Sequence, residues 1–134
     1  MYYISHFLRL TINLNFFILV SKKENINEYK QKESFMEKFA NCVRCCVREG
    51  CEEKYLEMVN SWGMAEGQER AYTVKTGDRE YIFFGVWSSE ESLINARSEM
   101  IGNLDSIRDL LEELSDDLGV TEPRSGFIKS SINP

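Results

Sequence analysis

Past position 6 the chain of 134 residues contains no histidine, and His6 is its only one. That absence excludes Ser-His-Asp and Cys-His catalysis and the usual haem ligand from everything downstream. Cationic surplus is missing too. Lys and Arg number 16 against 22 Asp and Glu, a net charge of −6, so there is no electrostatic basis for nucleic-acid binding. Proline is scarce, at two residues, while 43% of the chain is hydrophobic and 28% charged. This composition excludes a disordered or collagen-like chain. Nor is there a long uninterrupted apolar run. Residues 7–20 (FLRLTINLNFFILV) contain Arg9, Asn13 and Asn15 and fall short of the about 20 apolar residues that a membrane span needs. Lys22 and Lys23 follow that run instead of preceding it, and no small-residue cleavage motif comes after, so it does not read as a secretory leader.

Residues 1–35 read as an extension and linker, and residues 36–134 as the core domain. Charge supports the division: five basic and three acidic residues in the first part (+2) against 11 and 19 in the second (−8). An N-terminal membrane anchor through residues 7–20, or an element packed on the core, are the other readings of the extension. Cys42, Cys45, Cys46 and Cys51 fall within ten residues. The C-x2-C spacing is half a zinc site, but no further Cys and no His follow to complete it. On a strand Cys42 and Cys46 face one way and Cys45 the other. Small buried thiols in a reducing cytoplasm is therefore the expectation, with no metal.

Within the core, Phe39 to Arg48 reads as a first strand. Cys51, Tyr55, Met58, Val59 and Trp62 share one helical face, and Gly63 ends that helix. Glu69 to Thr76 alternates as a second strand. Gly77-Asp78 is expected as a II′ hairpin loop, leading into a third strand, Glu80 to Trp87. Ser88 opens a second helical region with Glu91 in a capping box. This region is expected to break at Gly102-Asn103 and to resume on Leu104, Ile107, Leu111, Leu114 and Leu118. After a loop at Asp116 to Arg124, Ser125 to Ile132 reads as a last strand. The order β-α-β-β-α-β is that of the ferredoxin-like α+β fold, with an antiparallel sheet. Third-strand residues are apolar on both faces, Tyr81, Phe83 and Trp87 on one and Ile82, Phe84 and Val86 on the other. Two helices cover one face only. A face-to-face homodimer, closing a barrel, is the simplest cover for the other.

Arg48-Glu49-Gly50, then CEEKYLEM (51–58), YTVKTGDREYIFFGVWSSEESL (72–93) and LGVTEPRSGF (118–127) resemble the antibiotic biosynthesis monooxygenase family of dimeric α+β barrels. The likeness spans residues 36–132. It implies that fold, and a cofactor-independent monooxygenase acting on a small aromatic or quinol-type substrate in a pocket between sheet and helices. The alternative is a non-catalytic, ligand-binding or stress-related homodimer of the same fold. The haem-degrading branch of the family places an Asn on the first strand and Trp and His on the second helix. Here the region from Ser88 to Leu118 has neither Trp nor His, and Asn41 stands two residues early.

An oxygenase of this kind needs an apolar cavity, a polar group that favours the substrate's anion, and exclusion of water. Trp87, Arg97 and Asn41 are the candidates for catalysis, and Tyr72, Tyr81 and Arg44 for substrate binding. Each has a structural reading beside the functional one. Trp87 fills core, Arg97 joins a salt bridge, and Asn41 is a hydrogen-bonded strand residue. Arg44 pairs with a Glu at the dimer face, and the tyrosines pack in core or interface.

Overall fold

The computed structural model describes residues 21–27 and 37–134. The chain divides into two units at Phe35/Met36, and residues 21–27 of the first are helical. The apolar run at 7–20, and with it the anchor reading, lies outside the described residues. Among the described residues no helix is long and apolar enough to cross a membrane.

In the second unit β1 is Phe39–Cys46, α1 Glu52–Asn60, β2 Gln68–Gly77 and β3 Glu80–Trp87. Then come α2 at Glu90–Asn95, α3 at Arg97–Ile107, a 3-10 turn at Arg108–Leu110, and β4 at Glu122–Phe127. The sheet order is β2-β3-β1-β4, antiparallel throughout. β3 lies between β1 and β2, which splits the βαβ unit and gives the ferredoxin-like α+β architecture expected from the sequence. The sheet of the single chain is open.

Alternation sorts the side chains. Phe39, Asn41, Val43 and Cys45 of β1 share a face with Tyr81, Phe83, Gly85 and Trp87 of β3 through the register Phe39↔Trp87, Asn41↔Gly85, Val43↔Phe83 and Cys45↔Tyr81. The helices cover this face, and they do so in two lobes. Tyr55 and Val59 of α1 pack with Cys45, Val47, Tyr81, Ile107 and Leu111 in one. Phe39, Trp87 and Ala96, backed by Leu93 and Met100, form the other. On the opposite face lie Ala40, Cys42 and Arg44 with Ile82, Phe84 and Val86. Its most exposed apolar members are Tyr72 (53%), Val74 (48%) and Phe84 (37%).

Five local expectations are corrected. Gly77 pairs with Glu80, so the hairpin loop is Asp78-Arg79, after a bulge between Lys75 and Gly77. The left-handed residue is Arg79, at φ 58°, where a non-glycine costs about 1–2 kcal/mol. Contacts hold it there. Its carbonyl accepts from Val47 N (2.8 Å), and its guanidinium donates to Val47 O (3.2 Å) and Glu112 Oε1 (2.7 Å).

The second helical region breaks at Ala96, not at Gly102-Asn103. Ala96 is 8% exposed against Phe39 and Trp87, and its small side chain lets the helix junction settle on the indole. The N-cap is Ser89, whose Oγ accepts from Ser92 N; Ser88 instead donates its N–H to Gly67 O. Leu111, Leu114 and Leu118 do not continue the helix. Leu111 is extended and bridges to Val47, while Arg48 N bonds Leu110 O and Glu112 N bonds Cys46 O, both at 2.8 Å. This segment supplies the edge partners that β1 lacks beyond β4, and it buries Leu111 completely. The last strand is Glu122–Phe127, earlier than Ser125 to Ile132, because Glu122 pairs with Arg44.

Two outcomes follow. Leu111→Ala should lower stability by about 2–5 kcal/mol, read from urea unfolding. Arg79 holds the Glu112 carboxyl below its ordinary value of 4.5, Lys75 and the Tyr81 hydroxyl do the same for Glu52, and Arg44 for Glu122. Because these native values are depressed, the stabilisation is complete above the ordinary value and is lost as pH falls through the native ones. The urea midpoint should therefore drop steadily from about pH 5 downward, and Glu112→Gln should shrink the drop.

Candidate functional site

Gly85 lies beneath the polar side chains of the site. It faces the helices opposite Asn41, and a Cβ placed there would come within 2.6 Å of Asn41 Oδ1 and 3.0 Å of Trp87 Nε1. The missing side chain lets the Asn41 amide lie across β3 and meet the indole. Trp87 Nε1 donates to Asn41 Oδ1 at 2.7 Å, wholly inside the protein. Trp87 is 0% exposed and Asn41 5%, the one buried polar side chain among the described residues. An indole N–H can only donate, so it dictates which end of the amide it meets. Asn41 Nδ2 is thereby turned away from Trp87, and no protein acceptor meets it among the described residues.

Gln68 opens β2 opposite Trp87. Its Oε1 accepts from Ala65 N at 3.1 Å, and its Nε2 stands 3.3 Å from the same Cβ position over Gly85. Two carboxamides, each with its oxygen accepting one hydrogen bond, thus flank one bare strand residue.

Above them lies a cavity of about 810 Å³ between the two core lobes. Val43 and Phe83 line it from the sheet, Leu56 and Val59 from α1, and Leu93, Met100 and Leu104 from α2 and α3. Trp62 and Met64, in the α1–β2 connection, complete the apolar wall. Such a space, mostly apolar with a few fixed polar groups, suits a small organic molecule of two or three rings.

The six residues singled out from sequence separate into two groups. Asn41, Trp87, Arg97 and Tyr72 contribute to the lining. Arg97, in the first turn of α3, is exposed and has no carboxylate partner among the described residues. Tyr72 reaches the lining at the sheet edge, although alternation groups its side chain with Phe84 on the opposite face. Tyr81 and Arg44 lie elsewhere. Tyr81 packs against Tyr55 at 5.0 Å between ring centroids and donates its hydroxyl to Glu52 (2.8 Å). Arg44 Nε donates to Glu122 at 2.8 Å on the uncovered face; the Glu it needs is in its own chain. In the first lobe Cys45 Sγ donates to Tyr55 Oη at 3.6 Å. Burial pushes both groups above their ordinary values, so both stay protonated at neutral pH. Gln68 is a lining residue that sequence reasoning passed over, and Trp62, expected on the apolar face of the first helix, lies beyond its end at Asn60 and lines the cavity. Gln68 had one signal, its position at the start of a strand just after Gly67.

No protein-family model matches the chain, and no curated protein matches it. Solved structures do. SnoaB, a cofactor-independent oxygenase from Streptomyces nogalater, is 12% identical with a TM-score of 0.56, covering 73% of this chain and 99% of its own. A monooxygenase from the ActVA-Orf6 gene of Streptomyces coelicolor, in complex with the ligand nanaomycin D, is 14% identical (TM-score 0.55; 77% and 97%). The NE2512 protein of Nitrosomonas europaea, of unknown function, is 16% identical (TM-score 0.56; 75% and 97%). At these identities the likeness is one of fold, and the fold is that of the antibiotic biosynthesis monooxygenases.

Gly85 makes a steric forecast. Gly85→Ala should break the Trp87–Asn41 hydrogen bond and destabilise the chain by about 1–3 kcal/mol. In the Gly85→Ala/Asn41→Ala double variant part of that loss should be recovered, a coupling of about 1 kcal/mol or more measurable by denaturant titration of the four proteins.

Proposed function

We propose that this chain is a cofactor-independent monooxygenase that oxidises a small phenolic or quinol-type substrate inside the cavity. The observation that carries the reading is the Asn41 amide, locked by Trp87 and presenting an uncommitted N–H group to an apolar chamber. A phenol loses a proton most readily where its oxygen anion meets a fixed donor. Asn41 Nδ2 supplies that donor. Trp87 orients it, and the Arg97 cation at the rim favours the anion at longer range. Once ionised, the electron-rich ring reduces dioxygen directly. In the balanced reaction a phenol and O2 give a quinone and water: one oxygen atom enters the ring, the other leaves as water, and all electrons come from the substrate. The apolar walls keep water from the reacting carbon. Tyr81 and Arg44 have no part in this scheme. SnoaB and the ActVA-Orf6 monooxygenase, with the same fold, support the reading by analogy.

The second half of the proposal is a cytoplasmic homodimer; the exposed Tyr72, Val74 and Phe84 support its dimeric part, in which a copy of the chain covers this sheet face. Light scattering of the full-length protein should give twice the 15.6 kDa chain mass; a monomer would remove this part.

Oxygen uptake over a panel of phenols and hydroquinones tests the chemistry. Trp87→Phe, which keeps the bulk and removes the N–H, should lower turnover about tenfold or more, and Arg97→Ala should lower it by a smaller factor with stability unchanged. Tight binding of the same compounds, followed by Trp fluorescence, with no uptake would favour the ligand-binding alternative.

A further inference from the structure

We infer that Ser125 of β4 is a second polar contact of the site, and that the ligand oxygen held by the Asn41 amide nitrogen also meets the Ser125 hydroxyl, at an open edge of the chamber. The inference rests on the proposed phenolic ligand class but not on turnover. Register carries it first. β4 pairs with β1 so that Ser125 stands directly opposite Asn41, and such partners project from one face with their Cβ atoms about 4.5–5.5 Å apart. Both residues line the cavity. Asn41 Oδ1 lies over Gly85 and accepts from Trp87, both on β3. The nitrogen, on the other branch of the same carbon, is directed away from β3, and β4 is the neighbour of β1 on that side. Among the described residues neither Asn41 Nδ2 nor Ser125 Oγ has a protein partner. An oxygen lodged between them can accept from both.

Exposure carries it next. No residue of β4 is buried, so the helices leave this edge of the sheet uncovered. Pro123 and Ser125, on the helix-facing side of the strand, are exposed and belong to the cavity lining, as do the exposed Arg97 and Ile101 of α3. The chamber is therefore open here. Asn41, at 5% exposure, is the inner end of a short polar track, and Ser125 is its outer end. A hydroxyl rotates to accept from a neutral phenol or to donate to its anion, whereas an amide nitrogen only donates. The pair can thus hold the oxygen in either state, and the anion more strongly, because hydrogen bonds to a charged acceptor are the stronger kind. The register that pairs Arg44 with Glu122 is what sets a serine beside Asn41; a slip of one residue would bring Arg124 or Gly126 there instead.

The test uses 4-nitrophenol as the probe, because its ionised and neutral forms absorb at different wavelengths, with 4-nitroanisole as the control that cannot ionise. Binding and bound-state ionisation are followed by absorbance and Trp fluorescence on the full-length chain, with oxygen uptake not involved. Wild-type protein should prefer the ionised probe and lower its pKa. Ser125 is exposed and unbonded, so Ser125→Ala should leave the urea midpoint unchanged. That variant should weaken binding of the ionised probe about tenfold, raise the pKa of the bound probe, and leave 4-nitroanisole binding within about twofold. Ser125→Thr, which keeps the hydroxyl, should stay within about twofold of wild type throughout. A wild type that prefers the ionised probe, with a Ser125→Ala variant of the same affinity and bound pKa, would overturn the Ser125 contact and leave the ligand class standing. Equal loss of the anisole in Ser125→Ala would also overturn the contact. A wild type that binds the probe without preference for the ionised form, or not at all, would overturn both. Absent oxygen uptake with the Ser125 effect intact would sink the oxygenase reading and leave the contact standing.

Discussion

The hydrogen bond from Trp87 to Asn41 is the constraint on which the functional half of the structure depends. An indole N–H and a carboxamide are both costly to bury alone, at about 1–3 kcal/mol each if left unpaired. Here each satisfies the other across two strands, with Gly85 between them leaving the path open. The pair ties the end of β3 to the first half of β1 and fixes the register, since a slip of one residue would turn one of the two side chains to the opposite face. It also leaves one polar group over. That group is the amide nitrogen, which the bond to the oxygen turns away from the indole.

The chamber exists because the core is divided. Tyr55, Tyr81, Val47 and Leu111 fill one end of the sheet, and Phe39, Trp87 and Ala96 the other. α2 and α3 meet at Ala96 over the second lobe, and the segment after Ile107 returns to the β1 edge at Leu111 instead of extending as a helix. Each half is densely buried, so an empty centre does not unravel the fold. Stability and ligand space are thus assigned to different stretches of the same strands.

Much of this was legible in the sequence. Strand alternation placed Asn41, Val43 and Cys45 together and Arg44 with Cys42 and Cys46, and the structure keeps both sets. The ferredoxin-like order followed from apolar periodicity and from Gly50, Gly63 and the Gly77-Asp78 turn. What escaped was decided by tertiary contact. Nothing local marks Leu111 as a strand partner of Val47, since its spacing from Leu104 and Ile107 is helical. The left-handed position fell on Arg79, not on a glycine, because Glu112 and Val47 hold the guanidinium from afar. Ala96 breaks the helix because Trp87 lies beneath it, whereas Gly102, the better local breaker, has nothing within 4 Å of its Cβ position and stays helical. Gln68 was missed for a related reason: a bulge beside it alters which face it joins, and a bulge leaves little trace in composition.

The strand order has a consequence for how the chain folds. β2 and β3 form a hairpin closed by two residues, a local event of microseconds. β1 must then dock on β3 across the 33 residues between Cys46 and Glu80, and such non-local pairing sets the pace of folding. Asn41 comes from β1, Gln68 from β2, and Gly85 and Trp87 from β3. The Trp87–Asn41 hydrogen bond is therefore absent from the hairpin and forms only when β1 joins. The indole of Trp87 leaves water in the same step, so the emission of a native tryptophan records the moment at which the chamber acquires its polar floor.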